Sequence, residues 1–411
     1  MTEVRALRAY AEVSLGRQRS PQHDTGPHMT RYLRAANVKD GFLDLNDVKT
    51  MNFDPKEKLQ FGLRHGDILV TEGSGSIGAV GAAAVWQGEI SEVVCFQNTL
   101  LRLRPRPSTD PRFLGWWCRH AFADGLFASI ATGANIYHIS AERVRALRMT
   151  YLPVTEQRAI ADYLDAETAR VDALIAKKQQ LIHLLNERLA ALTTEVLTST
   201  GDEIRSIRLR RLSIAACDGP FGSAIKSDHY AETGARVVRL GNIGFANWIN
   251  DDAAYLDLDY FSSLRRHSVK PGDLLIAGLG DKKNPVGRAT VAPDSIGPAL
   301  VKADCYRIRL RGAHPKFVAY CLSSGYGRPQ SARLADGSTR QRLTLGKALS
   351  LRIPDIPEET QRAIATYLDA ETADINVLVG AVSNQLDLLT EHRQALITAA
   401  VTGEFQVPGA S

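Results

Sequence analysis

Three groups of basic residues stand out for chemistry: Arg102, Arg104 and Arg106; Arg205, Arg208, Arg210 and Arg211; and Lys302, Arg307, Arg309 and Arg311. Clustered guanidinium and ammonium groups suit contacts to the phosphates of a polyanion. Their other reading is solvated strand edges and linkers. The remaining chemistry is thin. The loop Thr71-Glu-Gly-Ser-Gly-Ser-Ile-Gly78 has glycines but lacks the Lys-Ser/Thr pair of a Walker motif. No Asp/Asn-Pro-Pro-Tyr/Phe tetrapeptide of the kind amino-methyltransferases use is present, and Asn284-Pro285-Val286 is a superficial echo. No G-x-G-x-x-G opens a helix after a strand. The ten histidines make no metal-ligand cluster. Cys95, Cys118, Cys217, Cys305 and Cys321 are scattered without a C-x-x-C pair, which fits buried thiols in a reducing compartment. Among the motifs sought, none that would carry catalysis in this chain is present.

The elements that must position these basic groups are written in a duplication. Gln157-Arg-Ala-Ile-Ala-Asp-Tyr-Leu-Asp-Ala-Glu-Thr168 returns as Gln361-Arg-Ala-Ile-Ala-Thr-Tyr-Leu-Asp-Ala-Glu-Thr372, with Asp162 against Thr366 the only difference. The copies lie 204 residues apart in a chain of 411, which implies a tandem repeat. That length suggests two or three domains. An apolar fraction of 44% and a charged fraction of 23% describe a globular protein with material for real cores. No run approaches the ~18 apolar residues of a membrane helix. The start, Met1-Thr-Glu-Val-Arg, lacks a secretory pattern. No membrane association and a cytoplasmic location are expected. The net charge of +5 is by itself a weak pointer to a polyanion.

Behind each copy runs a seam. Val171, Ile175, Ile182, Leu185, Leu189, Leu192 and Val196 recur at three- and four-residue spacing, broken by Lys178. Ile375, Val379, Val382, Leu386, Leu389, Leu396 and Ala400 do the same, broken by Arg393. From Ala166 to Thr198 there is neither glycine nor proline, so a rod on the order of 50 Å is expected. A helix capped by Thr155 should begin at Glu156-Gln157. Two rods of equal length most simply pair with each other, antiparallel, because an isolated one would expose its seam; pairing with a second chain is the alternative. One register makes facing numbers add to 571 and puts Lys178 opposite Arg393. Such a layer either splays to the surface or signals a register one heptad away.

The stretches ahead of the rods read as mixed modules that echo each other. Arg34-Ala-Ala-Asn-Val38 matches Arg239-Leu-Gly-Asn-Ile243, and Gly66-Asp-Ile-Leu-Val70 matches Gly272-Asp-Leu-Leu-Ile276. Asp110-Pro-Arg-Phe113 matches His314-Pro-Lys-Phe317, with Asp110 as N-cap of a helix burying Phe113, Leu114, Trp117 and Ala121. Loops diverge more, with Asp281-Lys-Lys-Asn-Pro285 where Ser76-Ile-Gly78 stood. One framework with two loop sets suits related binding modules of different specificity. The expected class is α+β: two pseudo-repeated mixed α/β domains (1–151 and 201–355) and two helical spacers (152–200 and 356–411) packed as an antiparallel coiled coil.

Leu152-Pro153, Glu156-Gln157-Arg-Ala-Ile-Ala, Asp165-Ala-Glu-Thr-Ala169 and Asp172-Ala-Leu-Ile-Ala-Lys-Lys178 closely resemble the helical spacer of the specificity subunit of type I restriction-modification systems. The second copy, to Ala399-Ala-Val-Thr-Gly-Glu-Phe405, resembles it again. Asp218-Gly-Pro-Phe-Gly-Ser223, Gly272-Asp-Leu-Leu275 and Gly337-Ser-Thr-Arg-Gln-Arg-Leu-Thr344 resemble that family's second target recognition domain. The first module departs more, keeping mainly Gly66-Asp-Ile-Leu69 and Arg34-Ala-Ala-Asn37.

The resemblance implies a non-catalytic subunit in which each recognition domain reads one half of a bipartite, asymmetric double-stranded DNA site. The helix pair sets the spacing. It implies two methyltransferase subunits as partners, using S-adenosylmethionine to methylate adenine N6, and usually two restriction/motor subunits using ATP and magnesium. No cofactor, metal or catalytic residue is expected in this chain. Under that resemblance the candidate DNA-binding residues are Arg17, Arg19, Asn135 and His138 in the first module. In the second they are Lys226, Ser338, Thr339, Arg340, Gln341 and Arg342. Arg and Lys can pair with guanine, Asn and Gln with adenine, and hydroxyls with phosphate. Loop packing or plain exposure is the competing reading of each. Arg170, Lys177, Glu187 and a turn at Asp369–Glu371 would face the methyltransferase. A coiled-coil scaffold without DNA reading and a stand-alone methyltransferase are the rival functions, the second disfavoured by the missing tetrapeptide.

Overall fold

Alternation along four strands builds each module's core. A computed structural model describes residues 3–198, 205–221, 224–251, 253–338 and 340–407. It divides into two units, Met1–Gln179 with Asn384–Ser411, and Gln180–Ser383. In the first, β1 (Ala11–Leu15), β2 (Ile68–Thr71), β3 (Ala83–Val85) and β4 (Leu100–Pro105) form an antiparallel sheet in the order β1-β4-β2-β3. Ile68, Val70, Leu101 and Leu103 point into one core, Leu69 and Leu100 into another, as the two-residue period of a strand dictates. The first core is closed by α1 (Pro111–Ala123), which buries Phe113, Leu114, Trp117 and Ala121 as its spacing predicts. Asp110 caps it, accepting the N–H groups of Arg112 and Phe113. The second core lies under a three-stranded sheet centred on Met29–Leu33, parallel to Val94–Phe96 and antiparallel to Lys49–Asn52. Long helix α2 runs from Val154 to Thr198.

The second unit repeats the plan. Strands β5 (Ser213–Cys217), β6 (Leu274–Ala277), β7 (Ala289–Val291) and β8 (Cys305–Leu310) keep the same order, β5-β8-β6-β7. Leu274, Ile276 and Ile308 face one core; Leu275, Ala277 and Cys305 face the other. Helix α3 (Pro315–Ser323) closes the first, and Ala235–Val238 pairs parallel to Ala299–Val301 above the second. Helix α4 runs from Glu358 to Thr402. The chain is therefore α+β, two pseudo-repeated mixed modules with two long helices.

Three expectations about the helices change. Each has 45 residues, about 68 Å, and takes in the duplicated stretch, which the expected ~50 Å rod left out. Thr155 lies inside α2 rather than capping it, because helical backbone begins directly after Pro153. Asp369–Glu371 is helical, not a turn.

The register also differs from the one summing to 571. Within the first unit, Lys178 Nζ donates to Gln385 Oε1 at 2.6 Å and Arg393 Nε donates to Asp172 Oδ1 at 2.8 Å. Those numbers add to 563 and 565, about one heptad away, and rise on one helix as they fall on the other. The two cations never meet; each break in the stripe is answered by a polar partner on the facing helix. On the same two helices Val171, Ile160, Leu164, Ile397 and Ala400 are buried.

The duplicated stretch is a latch in both units. Gln157 is fully buried; its Oε1 accepts the Asp110 N–H at 2.9 Å and its Nε2 donates to the Leu152 carbonyl at 2.8 Å. Gln361 repeats both bonds, to the His314 N–H at 2.9 Å and the Ile356 carbonyl at 2.8 Å. Two turns on, Asp165 accepts from Trp116 Nε1 (2.8 Å) and Arg112 (3.0 Å). Asp369 accepts from the Tyr320 hydroxyl (2.7 Å) and contacts Lys316 Nζ (3.0 Å). Asp369 is thus bonded within its own module while its side chain stays 46% exposed.

Candidate nucleic-acid interface

The divergent residues sit on matching hairpins. In the second unit, Gln341–Arg342 pairs with Leu279–Gly280, and Arg342 exchanges two backbone hydrogen bonds with Asp336 (2.8 and 2.9 Å). In the first, Tyr137–His138 pairs with Gly73–Ser74, and His138 makes the same exchange with Thr132 (2.8 and 2.9 Å). Both turns need glycine. Gly133 (φ +121°) and Gly337 (φ +90°) are left-handed, and a Cβ at Gly133 would come within 1.9 Å of the Ile136 carbonyl oxygen. The glycine-rich loop at 71–78 therefore serves as the strand partner of the hairpin.

At the tips, Asn135, Ser338 and Arg340 are exposed, while Thr339 lies outside the described residues. Arg340 makes no hydrogen bond or ion pair among the described residues, and it borders a small cleft with Gly280, Asp281, Asn284 and Arg288. Gln341 is half-buried. His138 Nδ1 lies 3.0 Å from Glu72 Oε2, and Arg342 lies 2.8 Å from Asp304 Oδ1. The Arg342 guanidinium also stands 5.6 Å over the Phe221 ring. Lys226 is exposed at the head of the turn Ser227–His229, on a different loop from the hairpin.

The loop Asp281–Pro285 is built to hold its shape. Asp281 Oδ1 accepts the N–H groups of Lys283 and Asn284 (both 2.8 Å), bonds that hold its carboxyl below the usual range, and Lys282 and Lys283 are left exposed. Beneath it Arg288, 5% exposed, donates to the carbonyls of Ile243, Leu240, Asn284 and Pro285.

Arg17 and Arg19 part company. Arg17 is buried, paired with Glu57 at 2.6 Å, bonded to the Asn52 carbonyl and stacked over Phe53. Its guanidinium is committed to holding the strand Lys49–Asn52. Arg19 is exposed and lines a cleft of about 610 Å³ with Arg34, Lys49, Gln97 and Thr99. The Thr99 carbonyl accepts the Glu72 N–H, so this cleft adjoins the residue that contacts His138.

Two of the three basic clusters also turn inward. Arg102, 3% exposed, donates to the carbonyls of Gln60 and Gly62, and Arg104 forks onto the buried Asp67 (2.7 and 2.8 Å). Arg307, 4% exposed, donates to Ser268 and Arg266 carbonyls, and Arg309 pairs with Asp273 at 3.0 Å. Linear spacing of two placed them on one strand face, and that face is covered. Arg205, Arg208, Arg210 and Arg211 remain exposed. The matched Asn37 and Asn242 are buried too: each bonds the N–H of the preceding Arg and two carbonyls of the following loop.

Sequence reasoning missed Asp304 and Glu72, the partners of the two hairpin side chains. The signal was available. At the repeat offset Arg342 aligns with His138 and Asp304 with Thr99, so reader and partner change together.

Among the described residues no group of three His, Cys, Asp or Glu could hold a metal, and no helix is long and apolar enough to cross a membrane. No family model matches the chain. The StySPI type I restriction enzyme specificity subunit of Salmonella potsdam is 24% identical over 392 residues, covering 91% of this chain and 82% of that one. A solved chain from work on complex assembly and conformational transition of the type I R-M system superposes with a TM-score of 0.75 at 18% identity, covering 98% of both chains. The HsdS subunit of Thermoanaerobacter tengcongensis superposes with a TM-score of 0.53 at 18% identity, covering 98% of this chain and 97% of that one. Over nine-tenths of its length this chain is similar in sequence to the specificity subunits of type I restriction enzymes, and its fold is similar to that of solved type I specificity subunits.

Proposed function

We propose that each module reads one half of a bipartite, asymmetric DNA site, and that the helix pair sets the number of unread base pairs between the halves. The observation that carries this reading is the matched hairpin: one backbone, paired to an equivalent short strand in each module, displays Asn135 and His138 in one and Ser338, Arg340, Gln341 and Arg342 in the other. Exposed donors on a rigid turn suit base edges in the major groove, and hydroxyls and free cations suit phosphates. Arg19, Lys226 and Thr339 complete the proposed DNA-binding set, and Arg17 supports it from below.

The partners are two methyltransferase subunits and two restriction/motor subunits, which hold S-adenosylmethionine and ATP with magnesium. Off-seam apolar side chains stay exposed on both long helices, at Leu174, Leu181 and Leu184 on α2 and Val377, Leu378 and Leu388 on α4. Such side chains favour further helices as partners. Arg170, Lys177 and Glu187 are exposed beside them.

The spacing role is tested by inserting one heptad into each long helix. Seven residues add about 10 Å, or about three base pairs at 3.4 Å each. Mapping N6-methyladenine with the modification subunits present should show unchanged half-sites with a longer gap. An unchanged gap would refute the ruler.

A further inference from the structure

The ion pair of Arg342 with Asp304 differs from that of Arg309 with Asp273 in the same module. Arg309 bonds Asp273 with aligned N–H groups, whereas the Asp304 Oδ1 atom, 2.8 Å from Arg342 NH2, makes no aligned hydrogen bond with it. Asp304 thus attracts the guanidinium by charge while leaving its donor fork uncommitted. The Phe221 ring lies 5.6 Å below it. The side chain is 51% exposed. Its backbone is fixed on both strand edges, by Asp336 and by pairing with Leu279.

Asp304 itself is held in an uncommon state. Its φ of +63° is one of two left-handed values among described non-glycine residues, a strained conformation that persists only where its surroundings enforce it. The enforcing contact is the Asp218 carboxylate, whose Oδ1 accepts both the Asp304 N–H at 3.1 Å and the Gly219 N–H at 2.7 Å. In the first module Thr99 stands at the equivalent place, bonds the Ala35 N–H, and leaves His138 to Glu72. Among the described residues, the left-handed aspartate thus occurs in the module whose hairpin carries arginine, and Thr99 of the other module is not among the left-handed residues.

We propose that Asp304, set by Asp218, is a positioning residue that holds Arg342 as a two-pronged reader of one guanine in the half-site of the second module. This inference rests on the DNA-reading function proposed above. A guanidinium fork matches guanine O6 and N7, and a carboxylate behind it with an aromatic ring beneath limits the directions it can take.

The test uses the assembled complex with its modification subunits and duplexes carrying its mapped site. Each guanine of the half-site is replaced in turn by 7-deazaguanine, which removes the N7 acceptor. Wild-type binding should fall about tenfold or more at one position. Arg342→Gln should lose that much on the normal duplex and lose nothing more on the 7-deaza duplex. Asp304→Gly removes the carboxylate but favours the left-handed backbone, so its melting temperature should hold or rise while the 7-deaza effect shrinks below about threefold. Insensitivity of wild type at every guanine, or full discrimination in Asp304→Gly, overturns the proposal. A complex that binds its site normally with either result leaves DNA reading intact. A complex that binds no DNA overturns both.

Discussion

Gln157 Oε1 accepts the backbone N–H of Asp110 at 2.9 Å, and Gln361 does the same for His314 at the same distance. A buried amide here ties the first turn of a module's helix to the first turns of a spacer helix. That gives a physical reason for the near-identity of the two copies: the glutamine meets the same two backbone groups twice, and the aspartate twice accepts from side chains of the module helix.

Replacing Gln157 or Gln361 by leucine leaves an N–H and a carbonyl buried without partners. At about 1–3 kcal/mol for each lost bond, a destabilisation of about 2–6 kcal/mol is expected. Urea unfolding of the single variants measures it; a change below about 0.5 kcal/mol would show the latch to be incidental.

The heptad register makes a sharper prediction. With a short bismaleimide, Lys178→Cys with Gln385→Cys should cross-link, whereas Lys178→Cys with Arg393→Cys should not. The Asp172–Arg393 pair should couple by about 0.2–1 kcal/mol in a double-mutant cycle, as half-exposed pairs do. Cross-linking through Arg393→Cys would restore the register summing to 571.

Exposed and inward-facing arginines should separate experimentally. Arg340→Ala should change stability by no more than about 0.5 kcal/mol while weakening DNA binding, and should reduce the salt slope by about one if the contact is to phosphate. Arg102→Ala and Arg307→Ala should destabilise the fold by about 1–3 kcal/mol, because each leaves buried carbonyls unpaired. Equal effects of the two classes on folding would contradict this division.

Asp218 adds a pH dependence. Desolvation pushes its carboxyl up to about 6 from 3.8, partly offset by the Gly219 and Asp304 N–H groups. A raised carboxyl binds its proton more readily in the folded state, so this group's contribution to stability falls as pH rises from about 4 to about 6 and is level above. Asp218→Asn keeps an acceptor oxygen and removes that loss. Its melting temperature relative to wild type should be higher at pH 8 than at pH 4; a constant difference would argue against a buried charge here.

The scaffold was legible in the sequence because its signals are periodic and doubled. The seams, the Asp110 cap and the Phe113–Ala121 face needed only local spacing. The register was not, since heptads repeat and only polar partners such as Asp172 and Gln385 distinguish one layer from the next. The arginines misled because alternation assigns a strand face without saying what covers it. Arg102 and Arg307 meet carbonyls more than thirty residues away in sequence. The hairpin partners Glu72 and Asp304 were hidden for the same reason, although their covariation with His138 and Arg342 across the repeat was on view.

The central claim is that two modules read two half-sites independently. Its most direct test is N6-methyladenine mapping in cells expressing the chain with its modification subunits, before and after the hairpin 337–342 is replaced by the residues of 133–138. The account predicts a bipartite motif in which one half changes while the other half and the gap stay fixed. A contiguous motif, or a change in both halves, would contradict it.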